Sequence, residues 1–170
     1  MEFLDTIKDR LPDYAKDIRL NLDAVVARSS LPPEDALGVA LAAAFASKSA
    51  PLIEAFRANT PAAEANAALT AAALMGMNNV WYPFIEMAAD EELKSVRPEL
   101  RMNAYATSGG VEKKKFEAYA LAASIVGKCH FCVQSHYALL KKEGYTVQQL
   151  RDIGRIAAVV NAAAQVLAAG

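Results

Sequence analysis

Apolar residues recur at helical spacing through most of this 170-residue chain, and no segment shows the sustained two-residue alternation of a half-buried strand. Alanine is abundant, and long stretches hold small or unbranched side chains, which favour helix over strand. Hydrophobic residues make up 54% of the chain and charged residues 22%, so enough apolar surface exists for an extensive core. The sequence therefore predicts an all-α fold, built as a helical bundle.

The length of the chain suits one domain, and we predict a single helical domain over residues 1–170. Proline, glycine and capping residues mark the expected helix boundaries. The expected helix starts are Leu11-Pro12-Asp13, Pro32 to Asp35, Thr60-Pro61 and Thr146. The expected breaks are Ser29 to Pro33, Arg97-Pro98, Thr107 to Gly110, and Gly144.

The stretch from Ala65 to Ile85 carries no charge and is long enough to cross a bilayer. Its asparagines and Pro83 would be costly in lipid, so we interpret it as a buried helix of a globular protein. Gly76 followed by the Asn78-Asn79 pair is typical of a helix end. We therefore expect this helix to stop there and a turn to follow.

The charge pattern argues against nucleic acid as a partner. The formal net charge is −1, and the lysines and arginines are scattered along the chain. The first residues, "MEFLDTIKDRLPDYAKD", are charged throughout and lack the apolar run and cleavage site of a signal peptide. We expect a cytoplasmic protein that binds neither nucleic acid nor a membrane.

Two segments match each other at an offset of 51 residues, "LTAAALMGMNNVWY" at 69–82 and "ALAASIVGKCHFC" at 120–132. Gly76 then aligns with Gly127. The shared residues are mostly small and apolar, as in any two alanine-rich helices, so an internal helical repeat and a chance match both stay open. If the repeat is real, only its second copy carries reactive side chains.

Both cysteines and both histidines of the chain fall between Cys129 and His136. Gly127 is expected to end a helix that begins near Glu112, and a second helix is expected to start at about Cys129. The unpaired amides and the dipole at a helix N-terminus favour a thiolate over a thiol. The helix expected between Glu112 and Gly127 should turn Phe116, Ala120, Ala123 and Val126 toward the core.

The spacing within this cluster suits thiol and disulfide chemistry. On a helix Cys129 and Cys132 lie one turn apart, close enough to form a disulfide. His136 follows Cys132 by four residues on the same face, within reach of the proton on the Cys132 sulfur. If the two helices pack antiparallel, the Glu117 carboxylate could orient or charge that imidazole. The residues predict a proton relay from Glu117 through His136 to Cys132.

The same side chains could also serve a structural purpose or bind a metal. A structural disulfide is disfavoured in a reducing cytoplasm. Zinc is a stronger rival, because Cys129, Cys132 and His136 or His130 could supply three or four ligands. Structural zinc, however, usually takes its ligands from two separated pairs. Glu117 follows the segment "EKKKF", where a glutamate would usually face water.

The spacing Glu117-x11-Cys129-x2-Cys132-x3-His136 resembles the active-site pattern of the alkylhydroperoxidase D family, within the carboxymuconolactone decarboxylase superfamily. The likeness extends through "LPDYAKDIRLNL" at 11–22, "ALMGMNNVWY" at 73–82 and "LRMN" at 100–103, and so over nearly the whole chain. It implies an all-helical homotrimer. It also implies an antioxidant peroxidase that reduces organic hydroperoxides and hydrogen peroxide without metal, flavin or haem.

The resemblance further implies a role for each residue of the motif. Cys132 attacks the peroxide and becomes a sulfenic acid, while Cys129 supplies a proton and then closes the redox-active Cys129–Cys132 disulfide. His136 is the general base and Glu117 is the relay residue behind it. The implied partners are a lipoylated or other dithiol protein as electron donor and a peroxiredoxin as a disulfide-bearing client.

One position departs from the family pattern, which has a histidine immediately before the second cysteine. This chain has Phe131 there and His130 one place earlier, so His130 is at most a minor participant. Two other functions stay open: a dithiol–disulfide oxidoreductase that reduces a peroxiredoxin with little peroxidase activity of its own, and a zinc-stabilised interaction domain. The lactone chemistry of the wider superfamily has no evident use for a Cys-x-x-Cys.

Overall fold

The computed structural model describes all 170 residues and contains helices and no strand, which confirms the predicted all-α fold. Short 3-10 turns lie at Glu2–Leu4, Asp13–Ala15 and Ser108–Gly110. The ten α-helices are α1 (Asp5–Lys8), α2 (Lys16–Ala27), α3 (Pro33–Ala46), α4 (Ala50–Asn59), α5 (Ala62–Ala88), α6 (Glu91–Ser95), α7 (Asn103–Ala106), α8 (Lys113–Gly127), α9 (His130–Lys142) and α10 (Val147–Ala168).

The expected helix starts and breaks agree with these bounds. Pro33 occupies the first position of α3, where its missing N–H removes no helical hydrogen bond. Thr146 precedes α10, and its hydroxyl accepts a hydrogen bond from the Gln149 backbone N–H. The Gln149 side chain in turn accepts from the Thr146 backbone N–H, which completes a capping box. Gly144, with a φ of 93°, separates α9 from α10.

The expected helix end at Gly76 is wrong, because α5 continues through Gly76, the asparagine pair and Pro83 for 27 residues. The Asn79 side-chain amide donates to the Ala123 carbonyl on α8 at 3.1 Å, so it is paired without breaking the helix. The chain turns only at Ala89, which has a φ of 52°. No helix of the structure, α5 included, combines the length and the apolar character of a bilayer-spanning segment.

Helix α8 lies at the centre of the bundle and contacts α3, α5, α9 and α10. The predicted inward face is correct for Phe116, Ala120 and Ala123, whereas Val126 is only partly buried. The prediction named one buried face, but α8 is buried on all sides over residues 116–124, where every side chain is buried. Small side chains let the neighbouring helices approach α8 closely from all sides.

A polar cluster holds α8 between α3 and α5, away from the cysteines. Lys115 Nζ lies 2.5 Å from a carboxylate oxygen of Glu34 on α3 and 2.9 Å from one of Glu64 on α5. The buried Tyr119 hydroxyl donates to the other carboxylate oxygen of Glu64. Glu64 therefore accepts from two residues of α8 and fixes the position of that helix against α5.

Helix α8 ends at Gly127 as predicted, but the residue that adopts the left-handed conformation is Lys128, with a φ of 55°. Gly127 is needed for a different reason. A Cβ atom at this position would lie 2.1 Å from Nδ2 of Asn79. The glycine therefore permits close approach of α8 and α5 immediately before Cys129.

Candidate active site

The two cysteines lie where α9 begins. Cys129 is the N-cap residue of α9, and its sulfur accepts a hydrogen bond from the Cys132 backbone N–H at 3.3 Å. The two Sγ atoms are joined in a disulfide, 2.15 Å apart. The Cys129 sulfur also lies 3.7 Å from the Asn78 carbonyl oxygen on α5. Both cysteines are buried, so the structure holds two bonded sulfurs at a helix N-terminus beneath the surface.

Glu117 of α8 and His136 of α9 form a buried pair. The Nδ1 atom of His136 lies 2.5 Å from Oε2 of Glu117. Glu117 is 1% exposed and His136 is 6% exposed. The alternative that Glu117 is a solvated surface residue is therefore wrong, because α9 packs on α8 and covers it.

Glu117 accepts a second hydrogen bond, which the Tyr105 hydroxyl of α7 donates to Oε1. Burial by itself raises the pKa of the Glu117 carboxyl, but the hydrogen bonds from His136 and Tyr105 outweigh it, and the net pKa lies below its ordinary value. Burial and the bond to Glu117 both raise the pKa of the Tyr105 phenol, which stays protonated as a donor. At neutral pH the pair is an ionised Glu117 between two hydrogen-bond donors.

The other ring nitrogen of His136 faces α5, where Nε2 lies 3.2 Å from Sδ of the buried Met75. The structure contains no hydrogen bond between the imidazole and the Cys132 sulfur. Cys132 and His136 nevertheless border the same cavity. In the disulfide form Glu117 and His136 are thus hydrogen-bonded to each other, no hydrogen bond joins His136 to Cys132, and the relay to Cys132 stays a prediction.

Tyr105 and Met75 are site residues that the sequence analysis did not identify. Tyr105 precedes Glu117 by 12 residues across a non-helical break, and Met75 lies 61 residues before His136. Neither separation corresponds to a helical repeat, so periodicity could not connect them. Met75 did lie within the offset match at 69–82 and the family-like segment at 73–82, but neither signal assigned it a role.

A cavity of about 350 Å³ adjoins the disulfide and the imidazole. Most of its lining residues are hydrophobic, and Cys132 borders it whereas Cys129 does not. A molecule in this cavity therefore meets Cys132 and His136 and not Cys129. The lining residues are Asn78, Tyr82, Met102, Tyr105, Ala106, Phe131, Cys132, Ser135 and His136.

His130 lies apart from this arrangement. Its side chain is 74% exposed, and its Nδ1 is 3.3 Å from a carboxylate oxygen of Glu86 on the surface of α5. The structure contains no group of three or more His, Cys, Asp or Glu side chains placed to hold a metal ion. The four ligands considered for zinc are therefore not gathered around one point.

The chain is similar to known proteins over almost its whole length. Residues 91–169, which include Glu117, both cysteines and His136, match the model of the Carboxymuconolactone decarboxylase family. A protein of Rhodospirillum centenum is 41% identical over 168 residues, which is 96% of this chain and 90% of the relative. A protein of Maricaulis maris is 41% identical over 170 residues, 98% of both chains. One from Coxiella burnetii (strain Dugway 5J108-111) is 40% identical over 170 residues, 96% of both chains.

All three relatives are named alkyl hydroperoxide reductase AhpD. This chain belongs to the alkylhydroperoxidase D family. Of the four residues of the alkylhydroperoxidase D motif, Cys132 and His136 border the cavity; Cys129 is bonded to Cys132 and Glu117 to His136.

Phe131 is where the chain departs from the alkylhydroperoxidase D pattern. Its ring is about half exposed and stacks on the Tyr82 ring, with centroids 4.2 Å apart. Both rings line the cavity, so an aromatic wall stands where the family pattern has an imidazole. His130, directed toward Glu86, is not placed to take over that position.

Proposed function

We propose that this enzyme of the alkylhydroperoxidase D family is an antioxidant thiol peroxidase that reduces organic hydroperoxides and hydrogen peroxide through a dithiol–disulfide cycle. The supporting observation is that the Cys129–Cys132 disulfide and the buried Glu117–His136 pair adjoin one mostly apolar cavity. A sulfur, a base and space for a small organic molecule are thus found together. The cycle needs no metal, flavin or haem.

Cys132 is the attacking residue in this proposal, because its side chain borders the cavity. In the reduced enzyme His136, as the general base, holds the proton that Cys132 would carry as a thiol, so Cys132 is a thiolate, and the Glu117 carboxylate stabilises the imidazolium. The thiolate attacks the terminal oxygen of the hydroperoxide, so that an S–O bond forms as the O–O bond breaks. Cys129 gives its proton to the alkoxide, which leaves as an alcohol, and Cys132 becomes a sulfenic acid.

Cys129 is the resolving residue. Its sulfur attacks the sulfenic sulfur, the S–S bond forms, and hydroxide leaves as water with the proton that His136 held. An external dithiol then reduces the disulfide, supplying two electrons and two protons. On the family resemblance, the donor is a lipoylated or other dithiol protein, and a peroxiredoxin is a disulfide-bearing client.

The two cysteines provide matched variants for a test of this function. Cys132→Ser should reduce peroxide turnover with a dithiol donor to the background rate, because no sulfur can then form the sulfenic acid. Cys129→Ser should consume one equivalent of peroxide and accumulate a Cys132 sulfenic acid, detected by mass spectrometry after chemical trapping. The wild type should form an intramolecular disulfide under the same treatment. Unchanged turnover in Cys132→Ser would refute the proposal.

Phe131 favours one alternative, a dithiol–disulfide oxidoreductase that reduces a partner peroxiredoxin and has little peroxidase activity of its own. The phenyl ring of Phe131 has no acidic proton to transfer to a departing alkoxide, so direct peroxide reduction loses a donor that the family pattern includes. Turnover with free hydroperoxide, compared with turnover with oxidised peroxiredoxin, distinguishes the two functions. Elemental analysis of the purified protein tests the zinc-stabilised interaction domain.

Assembly and location are also proposals from the resemblance. We propose a homotrimer in which each subunit forms one domain over residues 1–170, and light scattering should give three times the 18.2 kDa of the chain. We place the enzyme in the cytoplasm, because a dithiol donor that keeps reopening a disulfide requires a reducing compartment.

A further inference from the structure

The His136 imidazole has a protein partner at each ring nitrogen in the disulfide form. Nδ1 lies 2.5 Å from Oε2 of Glu117, and Nε2 lies 3.2 Å from Sδ of Met75. The ring is almost completely buried. In this form the ring therefore makes its hydrogen bonds with these two partners and not with bulk water.

The chemistry of the partners determines which hydrogens the ring carries. A thioether sulfur has no hydrogen to donate and acts only as a weak acceptor. The Met75 sulfur can therefore pair with Nε2 only as an acceptor, which requires Nε2 to carry a hydrogen. At Nδ1 the partner is a carboxylate that already accepts from Tyr105, and it accepts the Nδ1 hydrogen as well. With both nitrogens protonated, His136 is an imidazolium paired with Glu117.

We propose that Met75 is a positioning residue of the redox cycle. In the disulfide form its thioether accepts a hydrogen bond from the Nε2–H group of His136. When the disulfide opens, the same Nε2–H group donates to Cys132 instead. This inference rests on the proposed dithiol–disulfide cycle and adds to it a residue and a stored proton. Asn78 supports the placement of the sulfur, since its side-chain amide is 3.9 Å from Met75 Sδ. Met75 itself is not a catalytic residue, because it does not border the cavity.

The exchange of acceptor follows from the charge that reduction creates. An external dithiol passes two electrons to the disulfide and becomes a disulfide itself; one of its protons goes to Cys129 and the other to solvent. Cys132 is left as a thiolate one helical turn from His136. A thiolate accepts a hydrogen bond more strongly than a neutral thioether, because the bond is charge-assisted. The Nε2 hydrogen then points to Cys132, and after each oxidation the ring regains from solvent the proton that left with water.

The first test uses the wild-type protein alone. The chain has only two histidines, so nitrogen-15 NMR of the ring nitrogens can resolve each one. In the disulfide form at pH 7, Nε2 of His136 should have the chemical shift of a protonated ring nitrogen, with the exposed His130 as an internal reference. A shift typical of an unprotonated Nε2 would overturn the proposal.

The second test removes the sulfur while keeping a similar side-chain volume. In Met75→Leu the disulfide form should lose the Nε2 hydrogen at pH 7, and the reduced form should regain it, because the Cys132 thiolate is still present. Single-turnover reduction of the disulfide by dithiothreitol should slow about two- to tenfold, the range expected for one hydrogen bond. Met77→Leu, on the same helix but away from the cavity, should match the wild type in both measurements.

These measurements do not depend on peroxide reduction. If the enzyme shows no peroxide turnover but Nε2 is protonated in the disulfide form, the proposed peroxidase function is refuted and the role of Met75 is supported. Normal peroxide turnover with an unchanged Nε2 signal and an unchanged reduction rate in Met75→Leu would refute the role of Met75 alone.

Discussion

The Glu117 carboxylate is buried between two donors, the Tyr105 hydroxyl and the His136 imidazole. The sequence predicted that Glu117 and His136 could meet if the two helices that carry them pack antiparallel. Tyr105 has no such relation to the motif. The chain also supplies a matched pair elsewhere, since Tyr119 donates in the same way to the buried Glu64.

Tyr105→Phe tests the contribution of one hydrogen bond to the charge of Glu117. Loss of the hydroxyl should raise the pKa of Glu117, so the carboxyl takes up a proton at a higher pH than in the wild type and stops stabilising the imidazolium. We expect kcat/KM for a hydroperoxide to fall about tenfold on the acid limb of the pH–rate profile and less at higher pH, where Glu117 stays ionised; tenfold is the loss expected for one hydrogen bond to a charged group. A full pH–rate profile measures this.

Tyr119→Phe is the control for that variant, because it removes an equivalent bond to a buried glutamate on the far side of α8. It should lower stability without moving the acid limb of the pH–rate profile. If both variants shift the acid limb equally, the effect of Tyr105 is general destabilisation and not control of Glu117.

At the level of helices, the two segments that match at an offset of 51 residues form different structures. Residues 69–82 lie inside the continuous helix α5, whereas residues 120–132 include the end of α8, the junction at Lys128 and the first turn of α9. This difference does not support an internal repeat, which stays a prediction. The aligned glycines also differ, because a Cβ at Gly76 would meet nothing within 4 Å, whereas one at Gly127 would collide with Asn79.

Alanine at each of these glycines should have opposite effects on stability. Gly76→Ala should raise the free energy of unfolding by up to about 1 kcal/mol, because alanine is the better helix former and has room there. Gly127→Ala should lower it by about 1–3 kcal/mol, because the added methyl pushes Asn79 and α5 away. Denaturant unfolding of the two variants checks both signs. Equal effects would show that the contact between Gly127 and Asn79 is not tight.

For the molecule as a whole, α10 packs across α2, α3 and α8, and Asp152 ties its first turns to the connection between α2 and α3. One carboxylate oxygen accepts from the Ser30 backbone N–H and hydroxyl, each at 2.8 Å, and the other binds Arg151 and Arg155. Burial by itself raises the pKa of Asp152. The hydrogen bonds from Ser30 and the two arginines outweigh burial and lower the pKa from 3.8 to about 2.

Because its pKa is lowered in the folded protein, the ionised Asp152 carboxylate adds to the free energy of unfolding, and protonation at low pH removes this contribution. Its contribution is fully present above about pH 4, the ordinary value of the carboxyl, and is lost as the pH falls through about 2. Asp152→Asn should lower the free energy of unfolding at pH 7 by about 1–2 kcal/mol, a range reduced for the partial exposure of the arginines. The gap between variant and wild type should close between about pH 4 and pH 2.

Asp9→Asn provides the comparison, because Asp9 is exposed and makes no ion pair. Its unfolding free energy at pH 7 should equal that of the wild type. A gap between Asp152→Asn and the wild type that persists unchanged at about pH 2 would show that the charge of Asp152 does not stabilise the fold.

The sequence by itself determined the helical class, most helix boundaries and the gathering of Cys129, Cys132 and His136, because these depend on periodicity, on caps and on spacing within one helical turn. Only the tertiary structure decided that α5 continues past Gly76, that Glu117 is buried, and that Tyr105 and Met75 complete the surroundings of His136. Each of these depends on a partner far away in the chain. Packing between helices chooses such partners, and no local pattern of residues encodes them.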